Sequence, residues 1–239
     1  MMMEKKRDRH RLEEGAVYAA MFAMLAAAGL MAVKGTVAFV NNSHVEQQRR
    51  IVIDAGHGGD DPGKVGINGA LEKDINLQIA QKVRKYLEYE GIEVVMTRTD
   101  GAGLYDSEAE NKKVQDMKRR IVVIEEAAPA MTVSIHQNSY PEEYVKGAQV
   151  FYYKDSAESQ TAAEIMQESL RERLDTENKR EAKANASYYL LKKTSSPVII
   201  VECGFLSNSD EAAKLSEDVY QERVAWAVFM GIMRYLNGY

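Results

Sequence analysis

The stretches IVIDAGHGG (51–59), MTVSIHQN (131–138) and PVIIVECGF (197–205) decide the fold of this chain. Each contains a short apolar run of the kind found in strands that are buried on both faces of a sheet. Segments with helical periodicity separate the runs, and such alternation of strands and helices predicts a largely parallel sheet. The sequence therefore predicts an α/β fold, a single three-layer domain with a mostly parallel central sheet flanked by helices.

Apolar residues that recur every three or four positions predict the helices, and β-branched or alternating runs predict the remaining strands. The predicted helices cover residues 71–89, 108–127, 156–174, 208–215 and 217–236. Further strands are predicted at 92–97, at 147–153, antiparallel or at an edge, and at 188–191, the run YYLL. Val114 and Trp226 are expected to face the core from their helices.

Three polar residues follow the apolar runs, namely His57, His136 and Glu202. Because the carboxyl ends of parallel strands meet at one edge of a sheet, where ligands bind, these side chains are expected to converge. Glu72 opens the helix that follows the glycine-rich loop after His57, so it can reach the same crevice. Two histidines and two carboxylates are the groups of a hydrolytic zinc site, so the sequence predicts a metal site at this edge.

Each of these residues also has a structural interpretation. A lone histidine is often a hydrogen-bonded core residue, and the helix dipole alone favours a glutamate at a helix start, such as Glu72. Glu202 ends a fully apolar strand, where a carboxylate is costly to bury unless it is paired or functional. Either Arg98 or Arg120 pairs with it, or it serves as a general base beside a metal. The next residue, Cys203, is interpreted as a small buried residue and not as a nucleophile.

Charge and cysteine content exclude several classes of function. The chain carries a net charge of -5, and no basic cluster interleaved with aromatic residues lies outside its N-terminus, so no nucleic-acid partner is expected. Its single cysteine allows neither an internal disulfide nor a zinc site of the CxxC type. Histidines and carboxylates must therefore supply the ligands of the predicted metal site.

The N-terminal part is predicted to anchor the chain in a membrane. Residues 1–15 are basic and are expected to be cytoplasmic, whereas residues 16–40 are apolar except for Lys34 and are long enough for a transmembrane signal anchor. A cleaved signal peptide is the alternative. Residues 41–50 form a polar linker, and 51–239 form the folded domain. This organisation predicts a single-pass protein of the cytoplasmic membrane whose domain is extracytoplasmic.

Four ordered blocks resemble a known family. The blocks are IVIDAGHGG with LEKDINLQIA, MTR at 96–98, SIHQN at 134–138 and VECGFLSN at 201–208. Together they resemble the zinc-dependent N-acetylmuramoyl-L-alanine amidases over about residues 50–239. The resemblance implies that His57, Glu72 and His136 are ligands of Zn2+ and that Glu202 is the catalytic glutamate. It also makes 51–239 the catalytic domain.

The resemblance extends to the membrane-anchored amidases of sporulation and germination, which act in forming muramic-δ-lactam in spore cortex. It implies hydrolysis of the amide between the lactyl group of muramic acid and L-alanine, with peptidoglycan or spore cortex glycan as the partner. Gln137 and Cys203 depart from the usual family pattern.

Two other functions and several roles stay open at this point. A zinc peptidase acting on stem peptides would share the same metal chemistry, and a membrane-tethered wall-binding protein would carry the site without activity. An activating protein partner is also left open. Asn76 either steadies Glu72 or is a solvated residue of the helix surface, and the role of Asn138 stays open, with contact to substrate as one candidate.

Overall fold

The computed structural model describes residues 50–238 and five positions between 24 and 31. The chain divides into two compact units, Met1–Glu46 and Gln47–Tyr239, and the elements named below lie in the second. Most of the predicted membrane anchor and linker falls outside the described residues, so these assignments stay predictions. Among the residues that are described, no helix combines the length and the apolar character needed to cross a bilayer.

One sheet of six strands runs through this unit, in the order β2-β1-β3-β6-β4-β5. The strands are β1 Arg50–Ala55, β2 Glu93–Met96, β3 Met131–Asn138, β4 Gln149–Tyr153, β5 Lys183–Asn185 and β6 Val198–Phe205. Strand β1 is parallel to β2 and β3, and β3 is parallel to β6, whereas β4 is antiparallel to β6. The three apolar runs of the sequence thus form adjacent central strands, as predicted for a mostly parallel sheet.

Helices cover both faces of the sheet, which gives the predicted three layers. They are α1 Glu72–Tyr89, α2 Lys112–Ala127, α3 Ala157–Leu174, α4 Tyr189–Lys193, α5 Ser209–Leu215 and α6 Asp218–Leu236. The larger core lies between one face of the sheet and helices α1, α3, α5 and α6, and includes Ile79, Met166 and Val228. The smaller core lies on the other face under α2 and α4, around Ile124 and Leu191.

The run YYLL was the one predicted element of the wrong type, because it forms the short helix α4 instead of a strand. The backbone N–H groups of Ser187 and Tyr188 donate to Asn185 Oδ1 at 2.7 and 2.8 Å, which turns the chain into the helix. Leu190 and Leu191 are then buried in the smaller core. The edge strand is β5, in the polar stretch just before this turn, and it pairs with the outer side of β4.

Two residues expected in the core are exposed. Val114 is 47% exposed, because α2 begins at Lys112, and Val114 lies in the first turn, where its N–H is capped by Asn111 Oδ1 at 3.0 Å. Trp226 is 44% exposed, and its ring lies at the surface in edge contact with Tyr86, 5.1 Å between centroids. Its helix neighbour Phe229 is buried as predicted.

The register of the central strands fixes what meets at the carboxyl edge of the sheet. Ala55 of β1 pairs with Ile135 of β3, and the next residue of β3, His136, pairs with Glu202 of β6. Beyond Ala55 the chain leaves β1 through the glycine-rich loop that carries His57. The sheet therefore brings His57, His136 and Glu202 to the same edge.

Candidate metal centre

The loop after β1 brings two histidines together. His57 has a left-handed backbone conformation with φ of 63°, and its ring lies edge-on to that of His136, 5.0 Å between centroids. Gly56 makes this approach possible, since a Cβ at that position would overlap the His136 ring and lie only 2.7 Å from its Nδ1. The first glycine of the loop is thus required by the packing of a site residue.

His57, Glu72 and His136 form a set of three ligand atoms that all lie within 4.8 Å of one another. Glu72 Oε1 is 3.2 Å from His57 Nε2 and 3.0 Å from His136 Nδ1. Ligand atoms around a tetrahedral Zn2+ are about 3.3 Å apart, given Zn–N and Zn–O bonds of roughly 2.0–2.1 Å. The three side chains therefore fit a zinc ion, and the structure brings together the residues that the sequence predicted as ligands.

Glu72 is held in place as the first residue of α1. Its side chain is 5% exposed, and its Oε2 accepts the backbone N–H of Lys64 at 2.7 Å while Oε1 accepts that of Gln137 at 3.1 Å. Burial by itself raises the pKa of this carboxyl, but the hydrogen bonds and charges of His136 and His57 lower it well below its ordinary value. Glu72 is thus an ionised, buried carboxylate between two histidines and not a solvated residue of a helix start.

Glu202 lies across from His136 on the neighbouring strand and is 8% exposed. Its Oε2 is buried and has no hydrogen-bond partner among the described residues. Burial raises the pKa of this carboxyl to about 7, and the nearby carboxylate of Glu72 adds to the rise against the opposing effect of the two histidines. An unpaired buried carboxyl that titrates near neutral pH is suited to accept and return a proton.

Neither arginine that the sequence offered as a partner of Glu202 pairs with it. Arg98 donates to backbone carbonyls, among them Ala55 O at 2.9 Å and Gly56 O at 3.1 Å. Arg120 donates to Asp54 and to Asp116, each at 2.5 Å. The structural interpretation of Glu202 as an arginine-paired carboxylate is therefore wrong.

A buried ion pair that was not predicted from the sequence supports the loop. Asp54 also accepts hydrogen bonds from Thr97 and Ser134, and Arg120 also donates to the backbone carbonyl of His57 at 2.5 Å. Burial alone would raise the pKa of Asp54, but Arg120 and the two hydroxyl donors lower it to about 2. The available signal was an aspartate inside the apolar run IVIDA, where a charge needs a partner.

Asn76 and Gln137 extend the support of Glu72. Asn76 is fully buried, which excludes the solvated interpretation, and its Nδ2 donates to Gly56 O at 3.1 Å and to Glu72 Oε1 at 3.4 Å. Gln137 Nε2 donates to Asn76 Oδ1 at 3.1 Å. Cys203 is buried as predicted, and burial raises the pKa of its thiol, so it stays protonated and unreactive.

His57, Glu72, His136 and Glu202 line a cleft of about 810 Å³. Asn138, which the sequence suggested as a substrate contact, lines this cleft together with Tyr105, Tyr188 and Tyr189. Tyr188 is fixed by edge contact with Phe151 at 5.6 Å between ring centroids. Three side chains that could hold a metal ion, beside a buried unpaired carboxyl in an open cleft, are suited to hydrolysis of an extended substrate.

Comparison with known proteins gives a consistent result. Residues 51–234 match the model of the N-acetylmuramoyl-L-alanine amidase family. A germination-specific N-acetylmuramoyl-L-alanine amidase of Bacillus subtilis is 39% identical over 190 residues, covering 78% of this chain and 79% of that protein.

Solved structures resemble the fold over the same region. The CwlD amidase from Clostridioides difficile, solved in complex with the GerS lipoprotein, is 40% identical with a TM-score of 0.77, covering 80% of this chain and all of that one. The catalytic domain of the amidase CwlV from Bacillus (Paenibacillus) polymyxa is 31% identical with a TM-score of 0.67, covering 79% of this chain and 98% of that one.

Proposed function

The chain belongs to the N-acetylmuramoyl-L-alanine amidase family, and from this premise we propose which of its residues carry out the reaction. As a member it hydrolyses the amide that joins the lactyl group of muramic acid to L-alanine in peptidoglycan. We propose that His57, Glu72 and His136 hold Zn2+ and that Glu202 is the general base. The observation that carries this proposal is the convergence of three ligand atoms within 4.8 Å beside a buried, unpaired carboxyl.

The donor set supports zinc as the metal. Two imidazoles and one carboxylate leave a fourth position open, which is the pattern of catalytic zinc sites. Zn2+ bound there supplies Lewis acidity, which makes a water molecule acidic near neutral pH and polarises a carbonyl group.

Glu202 supplies proton transfer in this proposal. Its carboxylate accepts the proton of the attacking water and then returns it to the nitrogen of the departing L-alanine, so that the amide C–N bond breaks and a free carboxylate and amine result. A cation held by the three ligands would favour the ionised form of Glu202, which is the form that accepts a proton.

Membership of the family argues against the two alternatives that the sequence left open. A zinc peptidase would cut within the stem peptide, and a wall-binding protein would have lost catalysis. The family match spans residues 51–234 and contains all four proposed site residues.

We propose spore cortex peptidoglycan as the substrate, with a role in forming muramic-δ-lactam. The support is the 39% identity to a germination-specific amidase. Removal of the peptide frees the lactyl carboxyl of muramic acid, and that carboxyl is the group from which a lactam ring can form.

We further propose that the chain is anchored in the cytoplasmic membrane by residues 16–40, with its domain extracytoplasmic, where peptidoglycan lies. The support is the apolar run behind a basic N-terminus. The similar CwlD amidase was solved with a lipoprotein, and on this basis we propose that a protein partner also assists this chain.

Mass spectrometry of digested peptidoglycan tests the proposed chemistry. The purified full-length chain is incubated with vegetative and with cortex peptidoglycan, with added Zn2+ or with a chelator. We expect chelator-sensitive release of stem peptides that begin with L-alanine, and faster release from cortex. Cleavage that persists after complete removal of metal would overturn the zinc proposal, and equal rates on both substrates would overturn the cortex preference.

A further inference from the structure

We propose that Asp61 is a positioning residue that holds the proton of His57 on Nδ1, so that Nε2 keeps its lone pair for the metal. This inference rests on the proposed ligand set and adds to it a residue that no sequence motif marked as part of the site. It concerns how well the site binds zinc and does not change the identity of the ligands.

The two ring nitrogens of His57 face two different carboxylates. Nδ1 lies 2.9 Å from Asp61 Oδ2, and Nε2 lies 3.2 Å from Glu72 Oε1. A neutral imidazole has one N–H donor and one acceptor nitrogen, and a carboxylate can only accept. When a metal takes the position between Nε2 and Glu72, the proton must therefore reside on Nδ1, where Asp61 accepts it. Such an outer carboxylate orients the ring and makes the ligating nitrogen more basic.

Asp61 is itself held rigidly within the loop. Its Oδ1 accepts the backbone N–H of Gly63 at 3.1 Å, which leaves Oδ2 to face His57. The backbones of Gly58 and Asp61 exchange two hydrogen bonds of 3.1 Å, which close the loop directly after His57. Lys113 Nζ lies 3.6 Å from Oδ2 and adds a positive charge beside the carboxylate.

The two histidines are oriented by different means. His136 is fixed by packing on Gly56, and the one carboxylate that bonds it within residues 50–238 is Glu72, which belongs to the ligand set. His57 has a carboxylate of its own outside that set. Loss of Asp61 should therefore weaken the zinc site through His57 alone.

Replacement of Asp61 by asparagine separates positioning from a merely structural role. If the carbonyl of the new side chain keeps the bond from Gly63 N–H, the NH2 of that side chain must face His57 Nδ1. An amide NH2 can only donate, so it favours the tautomer in which Nδ1 is the acceptor. The proton of His57 then resides on Nε2, and Nε2 cannot bind the metal. The loop stays intact, while zinc affinity falls. A merely structural role of Asp61 predicts unchanged zinc affinity in this variant, because the hydrogen bond from Gly63 N–H is kept.

The experiment measures the dissociation constant of Zn2+ by competition with a chelating dye on the purified full-length chain. We expect Asp61→Asn to bind Zn2+ 10- to 100-fold more weakly than the parent chain, the range typical of lost outer-sphere partners. Asp60→Asn makes the same chemical change at the neighbouring residue, whose carboxylate pairs with Lys112 at 2.7 Å and not with a histidine. It should bind Zn2+ within threefold of the parent. Equal affinity of both variants would overturn the proposal.

A second measurement needs no variant and therefore does not depend on folding of Asp61→Asn. In the zinc-loaded parent chain, nitrogen NMR should show His57 protonated at Nδ1, and a proton on Nε2 would overturn the proposal. If the parent chain binds no Zn2+, or if His57→Ala binds it as well as the parent, the proposed ligand set fails instead. The two failures are thus distinguishable.

Discussion

Glu202 and His136 lie opposite each other on two neighbouring parallel strands, β6 and β3. This pairing places a carboxyl that is not a proposed ligand next to a histidine that is, at the same level of the sheet. Burial of this carboxyl destabilises the fold, and no hydrogen bond to Oε2 within the described part of the protein offsets that loss. We infer that a carboxyl kept at such a cost beside the proposed ligands takes part in the reaction.

The first prediction separates the roles of these two residues. Glu202→Gln should retain one Zn2+ per chain but lose about 10²–10⁴-fold in kcat, because the amide cannot accept a proton. His136→Ala should lose the metal as well as the activity, since it removes a proposed ligand. Zinc content by mass spectrometry and release of L-alanine-terminated peptides provide the two measurements. Near-normal turnover by Glu202→Gln would show that another group is the base.

The second prediction concerns the buried pair of Arg120 and Asp54. Arg120→Met should lower the free energy of unfolding by about 3–5 kcal/mol, because it leaves the Asp54 carboxylate buried without its partner. Arg119→Met removes the adjacent arginine, whose partner Asp106 is exposed, and should leave the free energy of unfolding nearly unchanged. Urea unfolding of both variants measures the difference. Similar losses for the two variants would contradict the assigned role of the buried pair.

Much of this architecture could be predicted from the sequence, for identifiable reasons. Strands buried on both faces appear as short, mostly apolar runs, so β1, β3 and β6 were recognisable. The residues that end such runs meet at one edge because the strands are parallel, which is why the convergence of His57, His136 and Glu202 could be expected. Glu72 followed from the helix start after the loop.

Other features depend on contacts that periodicity does not report. A run of four apolar residues, YYLL, fits a strand or a buried helix turn equally well, and the hydrogen bonds of Asn185 decide in favour of the helix. The partner of Asp54 lies 66 residues away in the chain. Nothing in the sequence distinguishes Asp61 from other loop residues, and only the folded loop places its Oδ2 2.9 Å from His57 Nδ1. Such residues are found only when the chain is folded.

The third prediction follows from the pKa of Asp54. Its folded value of about 2 lies below the ordinary value of 3.8, so the folded protein binds this proton less readily than the unfolded chain. The resulting stability is fully present above about pH 5 and is lost as the pH falls through about 2, and it amounts to about 2 kcal/mol. Unfolding by urea between pH 6 and pH 2, with a chelator present to exclude metal release, measures this loss.

Asp54→Asn provides the control for that acid loss. The variant is less stable at neutral pH, but it lacks the titrating carboxyl, so its stability should fall less steeply with acid than that of the parent chain. An identical slope in both proteins would mean that Asp54 does not contribute to the acid sensitivity.

The last prediction tests whether Gly56 is required for the position of His136. In Gly56→Ala the new methyl group would overlap the His136 ring, which is held by Glu72 and cannot swing away like the end of a flexible side chain. We expect the ring to be displaced and Zn2+ to bind at least tenfold more weakly, with a smaller effect on global stability. Gly101→Ala is the matched control, because a Cβ there meets no atom within 4 Å. Dye competition for Zn2+ and thermal unfolding of the metal-free variants separate loss of the site from loss of the fold, and unchanged zinc affinity in Gly56→Ala would show that His136 does not depend on this glycine.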